Sequence, residues 1–355
     1  MFRVGNCEYV IAMKKLTIGY IPLSKNLGHP ADRRRIIFYA KAMGHKIETD
    51  LTRKHDLLVI SEKANLVPFI RKNGYPPTVF DLIDGYLTPS SPSIDLVRGI
   101  SKSLVGQLSF NYFSFKKLVQ KMCLSVDAVV CSTPEQTAVA SSYNINVHTI
   151  LDSHSEIPLL AVKRFAGKNP FVSKILWEGL PYTIDGLKQL NIKKESYFNI
   201  VTDLYYNKVL GTYLKGNTAN YIERRLKVGV KDYSISQWSV DSLIQNAKNS
   251  DIAVLPLNIK KSMNLYKAEN RLLIMWRLGL PVLVSPAMSY KRIMNEISSI
   301  GICNTSSDFN NIISNLIHHE EELLSQVDKG RNYMSKYHTD EILIHKWNKV
   351  IESIL

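Results

Sequence analysis

Between Ser250 and Ser285 the chain reads SDIAVLPLNIKKSMNLYKAENRLLIMWRLGLPVLVS, an order of segments that leaves few folds open. IAVLPL and PVLVS are short, unbroken apolar runs of the kind that form parallel strands covered on both faces, and the stretch between them carries helical period. Strand, basic loop, helix and second strand make a βαβ unit, whose sheet presents ligand sites at its carboxyl edge. The helix starts near Glu269 and aims its first N–H groups out of that edge beside Lys267 and Arg271. A diphosphate is the ligand such a place suits.

The rest of the chain repeats the pattern. LTIGYIP, residues 16–22, predicts a first strand, followed by a polar loop, a helix and a stop at Gly44 before a second strand. HDLLVISEKA, TVFDLIDGYL and DAVVCSTPEQ are short apolar strands that end in polar residues, and NVHTIL adds another near residue 150. From LDSHSEIP to KNPF the pattern turns loop-like, which predicts an interdomain crossing. A second series then runs through KILWEGLP, SYFNIVTDL, LKVGVKDYSIS, DIAVLPL, PVLVS and SIGICN. The fold class expected is α/β, with two Rossmann-like domains facing across a cleft. The expected boundaries are 1–155, 156–335 and a C-terminal helix over 336–355. MFRVGNCEYVIA, before a start-like MKKLTIGYIPL, reads as an upstream extension.

At 355 residues the chain exceeds the usual size of a single core. No apolar run is long enough for a membrane-spanning helix and no signal-peptide pattern opens the sequence, so a cytoplasmic protein is expected. Cys7, Cys123, Cys131 and Cys303 are scattered, which argues against a zinc site or a disulfide framework. A formal charge of +14 favours anionic partners: nucleic acid, anionic lipid or phosphorylated substrates. The first is disfavoured, because helix-turn-helix, RNP-like and zinc-finger patterns are all missing from the sequence.

SDIAVLP, then K-A-E-N-R, then a helix ending in LGLPVLVS resembles the donor half of GT-B glycosyltransferases of the family 4 type. Trp238 and the amphipathic stretch after it, before the strand, extend the resemblance. It is fuller over residues 170–355 than over 14–155. It implies an acceptor-side N-terminal domain, a nucleotide-sugar donor domain, and a terminal helix that returns to pack on the first. One departure stands out. Many members carry a carboxylate for the donor ribose where this chain has Ile274, which leaves the nucleotide open and keeps a CMP-activated acidic sugar of Kdo or sialic type as an alternative.

The candidate residues follow from both readings. Lys267 and Arg271 can neutralise a diphosphate, Asn270 can cap the helix, and Glu269 is either a contact for the donor ribose or sugar, or a partner of the helix dipole. Glu178 and Gly179 end a strand at a turn that resembles the family's phosphate-binding turn; Thr202 and Asp203 hold a comparable edge. Gly28, His29 and Arg33 follow the first strand, on the acceptor side of the cleft or against a phosphate. Arg33, Arg34 and Arg35 cannot all face one ligand from a helix. Asp84 is a candidate base for an acceptor hydroxyl, and His154 a candidate catalytic contact at the crossing, where Asp152 also lies. Residues 110–122, FNYFSFKKLVQKM, interleave aromatics with lysines, as suits either an anionic membrane surface or a core-facing helix.

The function expected is transfer of a sugar, hexosyltransferase-like, from a nucleotide-sugar donor to a hydroxyl of a glycan or lipid-linked glycan. Its setting would be bacterial surface polysaccharide assembly, as in lipopolysaccharide or capsule, on the cytoplasmic side and peripheral to the membrane. No cofactor and no metal is expected, because no Asp-x-Asp motif ends a strand. A rival of another class is a non-catalytic module that closes on an anion or nucleotide.

Overall fold

The computed structural model describes residues 14–70, 74–88, 92–104, 108, 114–165, 173–190, 196–207, 215–226, 233–297 and 299–355. Residues 1–13, with the extension expected there, lie outside them, as do residues 110–113 of the aromatic and basic segment.

The first half carries β1 (Thr17–Ile21), α1 (Pro30–Arg34), α2 (Ile36–Met43), β2 (Lys46–Glu48), β3 (Leu57–Ser61), β4 (Thr78–Leu82), α3 (Pro92–Leu104), α4 (Phe115–Ser125), β5 (Ala128–Cys131), α5 (Pro134–Ala140) and β6 (Val147–Thr149). Its strands form one parallel sheet in the order β2-β1-β3-β4-β5-β6. β3, β4 and β5 are buried along their whole length, as their unbroken apolar runs require. Ala, Val, Ile and Leu side chains on the two faces pack against separate helical layers.

The second half carries β7 (Ser173–Glu178), β8 (Ser196–Thr202), the hairpin β9 (Tyr205–Asn207) and β10 (Lys215–Asn217), α6 (Thr218–Leu226), β11 (Tyr233–Gln237), α7 (Val240–Lys248), β12 (Ile252–Leu255), α8 (Ser262–Leu265), α9 (Asn270–Arg277), β13 (Val282–Val284), α10 (Met288–Glu296), α11 (Ser306–Ser314), α12 (Glu320–Tyr337) and α13 (Asp340–Glu352). Its parallel sheet has the order β11-β8-β7-β12-β13. Relabelled within the half, that is 3-2-1-4-5, the winding of dinucleotide-binding sheets. The order reverses between β7 and β12, which places the switch point at Glu178–Gly179. SIGICN, expected as a strand, contributes only one bridge, between Val284 and Ile302.

α9 is the buried centre of this half. Leu272, Leu273, Ile274, Met275 and Trp276 are all buried, between the sheet and α12. Ile274 therefore faces packed apolar neighbours. Gly279 closes α9 at φ +75°, and a Cβ there would lie 2.5 Å from the carbonyl oxygen of Ala161. The crossing segment thus runs tight against this turn. Arg277 Nε donates to the Ile157 carbonyl at 2.6 Å, and Leu160 N to the Arg277 carbonyl at 2.8 Å.

α13 crosses back to the first sheet. Leu343, Trp347, Val350 and Ile351 join the core that β1, β3 and α2 build, and the Trp347 ring stacks on Tyr39 at 5.9 Å. The Tyr39 hydroxyl donates to Asn348 Oδ1 at 2.7 Å. No helix among the described residues is long and apolar enough to cross a membrane.

Candidate functional site

The carboxyl ends of the two sheets meet at several polar contacts. On the second sheet, β7 ends at the switch point with Gly179. A Cβ there would stand 2.7 Å from an Arg271 guanidinium nitrogen and 2.9 Å from Thr183 Oγ1, so only glycine leaves Arg271 its place. Arg271 donates to the Glu178 carbonyl at 2.6 Å. The Glu178 side chain accepts from the Trp238 indole at 3.0 Å on Oε1, while its Oε2 is buried with no partner. Thr202 Oγ1, at the end of β8, is likewise buried and unpaired. Asp203 accepts from Gln237 at 3.0 Å, which ties the ends of β8 and β11 together.

α9 begins at the same edge. Glu269 occupies the N-cap position and its side chain makes no hydrogen bond to the first turn. Asn270, expected as the cap, is the first helical residue and turns instead to His154 at 3.1 Å. Glu269 is buried and bound to Arg292 at 2.9 Å. Burial pushes its carboxyl up, and Arg292 opposes that shift. Arg292 also grips Glu135 of α5 at 2.7 Å and the Tyr333 hydroxyl at 3.0 Å. Burial disfavours the Arg292 charge, but Glu269 and Glu135 together raise its pKa above the ordinary arginine value. Glu269 thereby braces Arg292, which ties the second half to α5 of the first.

On the first sheet, Asp84 follows β4 and meets Lys267 from the opposite half at 3.2 Å. Burial works against the Asp84 charge, yet Lys267, Lys63 and His29 bring its pKa below the usual carboxylate range. Gln136 of α5 donates to the carbonyls of both Ile83 and Tyr266, at 3.0 and 2.9 Å, and so clasps the two loops together. His29 caps α1 by accepting from Ala31 N on Nδ1; burial first, then Lys63, lowers its pKa. Gly28 gives its carbonyl to Arg33 at 2.7 Å.

The three arginines divide at the end of α1, where the backbone leaves the helical region at Arg35 (φ −112°, ψ −107°). Arg35 is fully buried, bonded to Asp81 at 2.6 Å, Asp152 at 3.3 Å and the Ile150 carbonyl. Arg33 and Arg34 share Glu156 at the crossing, and both lie over the Trp238 ring, at 5.4 and 6.0 Å. The first half therefore reaches the β11 edge of the second through stacking as well as through charge.

His154 sits where the chain passes between the halves. Burial first, then Arg34 and Arg277, push its imidazole down to about 3. It is neutral at ordinary pH and offers hydrogen bonds rather than charge. With Nε2 turned to Asn270, its Nδ1 is a buried atom with no partner. Buried polar atoms in native proteins are seldom left unpaired, so Glu178 Oε2, Thr202 Oγ1 and His154 Nδ1 mark places where a ligand or water completes the structure.

Sequence reasoning passed over Asp32, Glu62 and Glu156. Asp32 is buried and accepts from the Tyr20 hydroxyl, Leu23 N and Ser24, which shapes the loop after β1. Glu62 is buried behind Asp84. Glu62 alone had a signal in the sequence, its position directly after a strand; Asp32 lies within α1 and Glu156 in the crossing loop.

No protein-family model matches this sequence, and no curated protein is similar to it. Solved structures are. Anabaena HepE in complex with UDP-glucose matches with a TM-score of 0.62 and 12% identity over 95% of this chain and 100% of HepE. Sucrose-phosphate synthase of Thermosynechococcus elongatus matches with a TM-score of 0.57 and 10% identity over 94% of this chain and 80% of the synthase. TarM matches at 0.53 and 10% identity over 83% of this chain, which spans 54% of TarM's length. The fold is the two-domain GT-B arrangement.

Proposed function

We propose that this chain is a glycosyltransferase that moves a sugar from a nucleotide-sugar donor to a hydroxyl of a glycan or lipid-linked glycan. The observation that carries the reading is the switch point of the second sheet. There a glycine turn, Arg271, Lys267 and the start of α9 converge opposite a carboxylate, Asp84, of the other half. The donor diphosphate would lie against Gly179 and the α9 start, with Arg271 and Lys267 meeting its charge without a metal. The sugar would face Asp84 across the cleft.

In this reading the acceptor oxygen bonds to the anomeric carbon as the bond from that carbon to phosphate breaks. The bonding pair leaves with the nucleoside diphosphate, and Asp84 would take the acceptor proton. His154 would hold the donor by a hydrogen bond from a neutral ring. HepE was solved with UDP-glucose, which makes a UDP-sugar the first donor to try. A CMP-activated acidic sugar is the alternative that Ile274 leaves open.

The setting we propose is surface polysaccharide assembly on the cytoplasmic side, at an anionic membrane face. Lys116, Lys117 and Lys121 stand on the outer side of α4, while Phe115 is buried in the core. Contact there would be chiefly electrostatic.

The test is a thermal-shift panel of UDP, GDP, CMP and dTDP on the wild type and the Lys267→Ala, Arg271→Ala double variant. A ligand that binds the native state raises its apparent stability. One nucleotide should stabilise the wild type and leave the variant unmoved. If none does, the non-catalytic module takes the lead; binding without turnover of any sugar donor would also favour it.

A further inference from the structure

Glu62 follows β3 directly and is 3% exposed. One of its oxygens, Oε2, accepts the backbone N–H groups of both Ile83, at 2.9 Å, and Asp84, at 2.7 Å. Among the described residues no ion pair reaches it, whereas the neighbouring Asp84 is one-third exposed and paired with Lys267. The charged groups around the two carboxyls come from five segments. They are His29 before α1, Lys63 after β3, Lys102 of α3, Lys267 before α9, and the two acids themselves.

We propose that Glu62 is a positioning residue for the acceptor-side base: as a neutral carboxyl it gathers the N–H groups of Ile83 and Asp84 on one oxygen and leaves Asp84 the single charged member of the pair. The inference rests on the glycosyl-transfer reading and deepens it. Two carboxyls this close do not both ionise cheaply, and the proton goes to the one with fewer cations and less water. Burial first, then the charge of Asp84, push Glu62 up to about 8, against the two N–H bonds from Asp84 and Ile83, which favour the carboxylate, and a weaker pull from Lys102. Asp84 is held the other way, with Lys267 the foremost cation. Glu62 keeps its own proton throughout transfer; the acceptor proton goes to Asp84.

Glutamine has the shape of the neutral acid and can accept the same two N–H groups; alanine can do neither. With full-length protein at neutral pH, Glu62→Gln should keep kcat within about threefold of the wild type, and Glu62→Ala should lower it by about tenfold or more, with the donor KM little changed in both. A second readout does not depend on turnover. The folded state holds the Glu62 proton between the unfolded value near 4.3 and about 8, so this group lowers stability as pH rises through that window and adds nothing further above it. The melting temperature of Glu62→Gln should therefore climb relative to the wild type from about pH 5 to about pH 8. Parallel melting curves across that window would overturn the proposal, and so would a Glu62→Gln kcat as low as that of Glu62→Ala. If the wild type neither binds nor turns over a nucleotide-sugar, the glycosyl-transfer reading fails instead, and the melting series still decides whether Glu62 is neutral.

Discussion

At the carboxyl edge of the first sheet, charge is matched within the chain. Arg35 lies between Asp81 and Asp152, Asp32 gathers a hydroxyl and backbone donors from the β1 loop, and Glu156 takes Arg33 and Arg34. At the edge of the second sheet, Glu178 Oε2 and Thr202 Oγ1 are buried without partners, and the N-cap side chain of α9 makes no hydrogen bond to the helix's first turn. The charged groups of the first edge are paired by folding, although Ser61 Oγ and Glu135 Oε2 are buried there without partners as well. The second has room for a ligand to complete it. That difference suits an enzyme in which one half presents a preset carboxylate and the other closes on an anion.

The comparison breaks first at Arg35. Its guanidinium has no exposed surface, and removing it strands Asp81 and Asp152 in the core. Losing one partner of a buried ion pair costs about 3–5 kcal/mol. Arg35→Ala should lose that much in urea unfolding, or fail to fold, whereas truncating Lys267, whose pair is one-third exposed, should cost no more than about 1 kcal/mol. Equal losses at the two sites would remove the distinction between the edges.

Gly179→Ala sharpens the comparison on the other side. The added methyl displaces Arg271 from the Glu178 carbonyl and presses on Thr183 and Trp177. The expected stability loss is about 1 kcal/mol, the scale of one hydrogen bond. Nucleotide affinity in calorimetry should fall by about tenfold or more, because the turn loses both its open backbone and its cation. A variant that binds nucleotide as the wild type does would move the donor site away from the switch point.

The two edges were not equally legible in the sequence. IAVLPL and PVLVS predicted β12 and β13 with the helix between them, since buried parallel strands and a helical period are local patterns. Lys267, Gly179 and Arg271 could be picked out because strand ends and glycine turns have local signatures. The first edge is made of pairings with no such signature. Arg35 reaches Asp81 and Asp152 across 46 and 117 residues of chain, and Lys267 reaches Asp84 across 183. From sequence, an arginine triplet is equally an exposed helix start. Glu62 ends the run HDLLVISE like any polar residue after a strand, and only the three-dimensional packing shows that β3 and β4 are neighbours. SIGICN failed for the converse reason: an apolar run predicts burial, and burial at the sheet margin takes only one bridge to satisfy.

The smallest effect expected at neutral pH is that of His154→Gln, and it tests whether the crossing belongs with the matched edge or the unmatched one. Burial depresses the imidazole to about 3, so between that value and the unfolded 6.5 or so the unfolded chain binds a proton that the folded chain refuses. Stability contributed by the neutral ring is fully present above pH 6.5 or so and is lost as pH falls toward about 3. The sign is opposite to that of Glu62. His338, also depressed to about 3 by burial and then by His154, adds to the same acid loss, so one substitution removes part of the slope and not all of it. Melting of His154→Gln should match the wild type at pH 7.5 or so and fall less steeply below pH 6 or so. If the ring is there only to pack, glutamine, which can still meet Asn270, leaves nucleotide binding unchanged. If Nδ1 is a ligand contact, nucleotide-sugar affinity falls at neutral pH while melting does not, and the crossing then belongs with the edge that a ligand completes.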